Sequence, residues 1–187
     1  MKYMMFSKAL QSLSVAAAGR AIKDMGFDGV DLTVRGGGHV LPGHVATVSS
    51  PAGRAPRAPG LEVPLLSTNI TSADDPQAER IFQLAGELGV PEIKLGYFAY
   101  RDFGSFIPAI EDGHRRLDGI VKLAQRTGVR AGIHNHSGQF ATAVGAVVLD
   151  WIRDRDPKAV GAYVDPMHLM VEGMGRGWMM NLELLLP

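Results

Sequence analysis

Cysteine is absent from the 187 residues, which excludes disulfides, thiolate zinc centres, iron–sulfur clusters and cysteine nucleophiles. An excess of charge of either sign is missing too: Lys plus Arg and Asp plus Glu are 19 each. A protein that works on the phosphate backbone carries a basic excess, so no nucleic-acid partner is expected. No apolar run approaches the ~18 residues that a membrane span needs. The opening Met1-Lys2-Tyr3-Met4-Met5-Phe6-Ser7-Lys8 carries charge where a secretory signal would still be apolar. A cytoplasmic protein is therefore expected. Hydrophobic residues make up 46% and charged residues 20%, the usage of an ordinary globular domain. Residues 1–187 are read as one domain.

What is present is a recurring junction. Gly26-Phe27-Asp28-Gly29-Val30-Asp31-Leu32 follows a helix-like stretch, and runs opening at Gly60, Gly89 and Gly128 have the same shape. Each glycine can take the left-handed conformation that stops a helix, and the apolar run after it reads as a short buried strand. Val160-Gly161-Ala162-Tyr163-Val164-Asp165 reads as a strand without the leading glycine. Between them, Val15, Ala18, Ile22 and Met25 share a helix face, and Ile110, Leu117, Ile120 and Ala124 do the same. Asp75-Pro76 reads as an N-cap and first turn.

Strand and helix alternating at a period of ~30–40 residues predict successive βα units in a parallel sheet. No Gly-x-Gly-x-x-Gly loop follows the first strand, where Ser7-Lys8-Ala9-Leu10 stands instead, so a (β/α)8 TIM barrel is favoured over a dinucleotide fold. A complete barrel takes ~250 residues. About six of eight βα units fit here, so an incomplete barrel is expected, with an open edge through which copies could form a homo-oligomer. Residues 46–59, rich in Pro, Ala and Arg, read as an irregular surface loop.

Functional groups of such a barrel gather at the carboxyl ends of its strands. Four of the six histidines fall there: His39, His134, His136 and His168. In an extended strand His134 and His136 point to one side. With Asp165-x-x-His168 they suggest a metal, since imidazole and carboxylate suit zinc, manganese or cobalt; the bland alternative is hydrogen bonding to loop backbone. Asp165, ending an apolar strand, needs a partner. Arg35-Gly36-Gly37-Gly38-His39 is either an anion cradle or a flexible turn. Lys94 lies within the fourth strand, and Tyr97, Tyr100 and Arg101 follow it, either lining a sugar pocket or packing under a loop.

Met25-Gly26-Phe27-Asp28-Gly29-Val30-Asp31-Leu32, Gly132-Ile133-His134-Asn135-His136 and Gly161-Ala162-Tyr163-Val164-Asp165-Pro166-Met167-His168 together resemble the xylose isomerase-like TIM-barrel superfamily, and within it the sugar phosphate isomerase/epimerase group. The resemblance implies a divalent metal (manganese, magnesium, cobalt or zinc), a sugar or polyol substrate, and proton transfer beside a carbonyl through an enediolate. It places Asp165 as a metal ligand and His168 on substrate oxygen. The family's glutamate ligand is replaced by His134, or its role has shifted to His136, which makes both candidates for ligand or proton shuttle. Arg35, His39, Tyr97 and Arg101 are candidate substrate contacts. Two later family ligands are expected beyond Pro187. Two rivals remain open at this point: an inactive or weakly binding incomplete barrel, and a metal-dependent nuclease of the abasic-site type, against which the zero net charge counts.

Overall fold

The computed structural model describes residues 1–44 and 61–186. The loop expected over 46–59, and Gly60, lie outside the described residues. Six strands follow one another in chain order: β1 (Met4–Phe6), β2 (Gly29–Val34), β3 (Glu62–Thr68), β4 (Glu92–Lys94), β5 (Arg130–His134) and β6 (Val160–Tyr163). They form one sheet in the order β1-β2-β3-β4-β5-β6, with every neighbouring pair parallel. Strands that run in sequence order, each joined to the next by a crossover, give the barrel-type winding; a doubly wound sheet would reverse direction at a switch point.

The helices are α1 (Val15–Asp24), α2 (Ala78–Leu88), α3 (Phe106–Thr127), α4 (Gly145–Ile152), α5 (Pro166–Glu172) and α6 (Gly177–Leu185). Gly89 and Gly128 close α2 and α3 at φ 68°, a left-handed conformation that strains any residue with a Cβ. One expectation shifts at a helix end. Asp75 does not cap α2: its carboxylate accepts from the Gln77 N–H at 2.8 Å, making a side-chain turn that precedes a helix capped by Gln77. Two helices follow β6, because Gly173 and Gly175 end α5 before α6 begins. Among the described residues no helix is long and apolar enough to cross a membrane.

Strand alternation sorts the side chains. Val30, Leu32 and Val34 of β2, Ile93 of β4, and Ala131 and Ile133 of β5 are buried among helix residues such as Ile22, Phe82, Leu117 and Trp151. Each large side chain buried this way stabilises the fold by about 1.5–3 kcal/mol. On the opposite face the register aligns Thr33, Ser67, Lys94, Gly132 and Gly161 in one row. Asp31 stands two residues before this row and His134 two after, on the same face. Nearly continuous apolar strands were expected from the sequence; the inner face is instead polar at its centre.

Candidate metal and substrate site

The site grows from the paired carboxyl ends of β5 and β6. His134, the last residue of β5, is buried, and its Nε2 lies 3.4 Å from Asp165 Oδ2. Asp165 caps α5: its Oδ1 accepts from the backbone N–H of Met167 at 2.9 Å and of His168 at 3.3 Å. The cap fixes the carboxylate and sets His168 in the first turn, with its Nε2 3.8 Å from the same Oδ2. Asn135, 1% exposed, fastens the two ends together. Its Oδ1 accepts from the Asp165 N–H at 2.7 Å and its Nδ2 donates to the Asp165 carbonyl at 2.8 Å.

His136 completes the histidine group, its ring 3.7 Å from the His168 ring between centroids. Its Nδ1 lies 2.8 Å from the Ser137 carbonyl, so in the neutral ring Nδ1 carries the proton and Nε2 the lone pair. Ser137 Oγ bonds His168 Nδ1 at 2.8 Å. The loop after β4 pairs with the loop after β5, the Tyr100 N–H donating to the Gln139 carbonyl at 3.0 Å. This seats Tyr97 against His136, 4.5 Å between ring centroids.

Electrostatics keep the group ready to act as ligands at neutral pH. Burial, then the charge of Lys94, pushes His134 down to about 4, so its imidazole is neutral. Burial and then His136 lower His168. For Asp165 burial acts upward, but the His168 backbone N–H and the His168 and His134 rings outweigh it, so the carboxyl stays below its ordinary value. His134, Asp165 and His168 each offer one ligand atom within 4.8 Å of the others. Separations of 3.4 and 3.8 Å are long for charge-assisted hydrogen bonds. Two atoms each ~2.1 Å from a tetrahedral ion stand about 3.4 Å apart. The nitrogen, nitrogen and oxygen donors thus fit a borderline divalent ion with open positions.

Beneath this cluster lie groups the sequence analysis left without a role. Asp31 is 6% exposed and Lys94 3% exposed. Ser67 Oγ donates to Asp31 Oδ2 at 3.0 Å, while Asp31 Oδ1 and Lys94 Nζ have no hydrogen-bond partner. Lys94 Nζ sits 3.8 Å from the centre of the Tyr97 ring. Burial raises Asp31 to about 6; burial, then the neighbouring charge of Arg35, lowers Lys94 to about 8. Burial, then Asp31, pushes Tyr163 up to about 12. The available signal was a charged residue flanked by apolar ones in a buried strand run, at 31 and again at 94.

The structure therefore brings together His134, His136, Asp165, His168 and Tyr97. Arg35 follows β2, its guanidinium 5.7 Å from the centre of the Phe6 ring. His39 stands apart: its Nε2 lies 3.0 Å from the Leu10 carbonyl and its N–H donates to Thr33 Oγ1 at 2.9 Å. Arg101 is exposed on the loop after β4.

Comparison with known proteins bears on the same architecture. A D-tagatose 3-epimerase-like protein is similar over 99% of this chain and 71% of its own, with 17% identity and a TM-score of 0.71. The 3-keto-D-glucoside 4-epimerase YcjR from E. coli is similar over 99% and 77%, at 18% identity and a TM-score of 0.74. The IOLI protein, solved with a bound zinc atom, matches over 98% and 68%, at 14% identity and a TM-score of 0.68. At these identities the likeness concerns the fold. No curated protein matches by sequence. The family model described as xylose isomerase-like TIM barrel matches residues 20–185, and with the parallel sheet in sequential order it follows that this chain belongs to the xylose isomerase-like TIM-barrel family.

Proposed function

We propose that the protein is a metal-dependent isomerase or epimerase of a sugar, sugar phosphate or polyol, moving a proton beside a carbonyl through an enediolate. The observation that carries this reading is the convergence of His134, Asp165 and His168 at the carboxyl end of the sheet. His134 and Asp165 would hold the ion, with His168 either completing the set or turning to substrate oxygen. A divalent ion there would polarise neighbouring carbonyl and hydroxyl oxygens and stabilise enediolate charge. The neutral His134 imidazole and ionised Asp165 carboxylate need release no proton to bind it. His136 offers a lone pair at Nε2 beside the cluster, the position and chemistry of a base that takes a proton and returns it. Tyr97 and Phe140 flank its ring. The sugar-epimerase neighbours support the substrate class.

The test is thermal unfolding with manganese or zinc, alongside deuterium exchange from heavy water into a ketohexose. Metal at ~100 times its dissociation constant should add ~2.7 kcal/mol to the native state. The wild type is expected to show that rise and a metal-dependent exchange, and Asp165→Ala to lose both. A wild-type transition indifferent to metal refutes the proposal.

A further inference from the structure

Two buried charged side chains on the inner face each keep one polar atom without a hydrogen-bond partner. Lys94 Nζ and Asp31 Oδ1 both lack a hydrogen-bond partner, and both residues are more than nine-tenths buried. Both belong to the inner face, with Ser67 between them: Ser67 pairs with Lys94 in register and donates to the other Asp31 oxygen. Yet no hydrogen bond closes between Asp31 Oδ1 and Lys94 Nζ. Leaving buried polar groups unpaired is costly, and a ligand that completes them is one way in which a fold offsets that cost.

We infer that Asp31 and Lys94 form a hydroxyl-recognising floor beneath the histidine cluster, which takes an uncharged, hydroxyl-bearing part of the substrate. An ammonium only donates hydrogen bonds and an ionised carboxylate only accepts them. A group that satisfies both must donate and accept, as a hydroxyl does. A fully ionised phosphate or carboxylate would be drawn by Lys94 and the nearby Arg35, but it has no hydrogen to donate to Asp31 Oδ1 and would meet repulsion from that carboxylate. The Tyr97 ring, stacked on Lys94 and in contact with His136, joins this floor to the proposed metal cluster. Gly132, beside Lys94 in register, adds no side chain to the row. The inference rests on the isomerase reading and refines it: any phosphate on the substrate points away from Asp31 and Lys94.

The experiment is calorimetric titration of D-tagatose, D-fructose and D-galacturonate into the full chain with manganese present, for wild type, Lys94→Met and Asp31→Asn. Each variant should bind the neutral ketoses about ten- to a hundredfold more weakly, with manganese affinity within about twofold of wild type. Lys94→Gln, which keeps a donor, should recover part of the loss and guards against a folding artefact. If the wild type binds manganese and ketose but neither variant changes ketose affinity, the floor is wrong and the isomerase reading survives. Galacturonate binding more tightly than the ketoses, and tighter still in Asp31→Asn, would make Lys94 an anion clamp and overturn the assignment. A wild type that binds manganese but neither ketose also overturns it. Failure to bind manganese removes both readings.

Discussion

Replacing Lys94 by methionine should make the protein more stable, and the size of the gain follows from where the ammonium sits. Lys94 is 3% exposed, with no hydrogen-bond partner at Nζ. Burial is the main reason that its ionisation falls from 10.5 to about 8, and Arg35 adds to it. Below pH 8 both the folded and unfolded chains carry the charge, and the folded chain holds it at a disadvantage. The displacement corresponds to about 3 kcal/mol. Between pH 8 and 10.5 the unfolded chain binds a proton that the native chain has released, so wild-type stability from this group rises with pH and the penalty vanishes above 10.5. Methionine conserves the volume of the stem and removes the charge, and the displacement already includes the attraction to Asp31 that is lost with it. Urea unfolding at pH 7 should therefore show Lys94→Met ahead by about 3 kcal/mol, less the lost contact with the Tyr97 ring. That lead should shrink as pH rises through 8 to 10.5. A variant less stable than wild type at pH 7, or a lead independent of pH, would refute the reasoning and mean that Lys94 is satisfied in the native state.

Two further outcomes test other parts of the structure. Gly113→Ala should lower the unfolding midpoint, because the new Cβ would enter the fully buried Trp151 ring; overpacking of about 1–3 kcal/mol outweighs a helix-propensity gain of about 1 kcal/mol, and scanning calorimetry reads the difference. In acid, His134 and Asp31 act in opposite senses: the lowered His134 makes stability fall as pH drops from 6.5 towards 4, whereas the raised Asp31 makes it climb as pH drops from 6 towards 3.8. Asp31→Asn should therefore steepen acid destabilisation by about 3 kcal/mol across that window and His134→Asn should flatten it, as followed by urea melts at half-unit pH steps.

The lone pairs and charges that make Lys94 and Asp31 expensive to bury are the same features that suit them to a hydroxylated ligand. Stability and binding would then be in opposition at these two positions, as expected where a binding floor is assembled before its ligand arrives. Asp165 shows the reverse relation. Its Oδ1 caps α5 while its Oδ2 faces His134 and His168, so one carboxylate both stabilises the fold and orients the cluster.

Much of this protein was legible in the linear chain because local physics dictates it. A glycine that must turn left-handed ends a helix wherever it occurs, so Gly26, Gly89 and Gly128 marked the junctions, and each observed φ is positive. Apolar spacing in Leu117, Ile120 and Ala124 marked a buried helix face for the same reason. His134, His136, Asp165 and His168 could be assigned to strand ends because side chains in successive parallel strands converge there. The role of Asp31 and Lys94 could not be read in this way, since 62 intervening positions separate them and nothing local says that they share a face. Parallel pairing through β3 decided that, by putting Ser67 beside Lys94 and its hydroxyl on Asp31. His39 also follows a strand, and the folding of its loop, which no local signal sets, places its Nε2 3.0 Å from the Leu10 carbonyl. Sequence determined most of the strands and helices and where several of them stop; register and loop packing, which depend on contacts between distant residues, decided which polar groups meet.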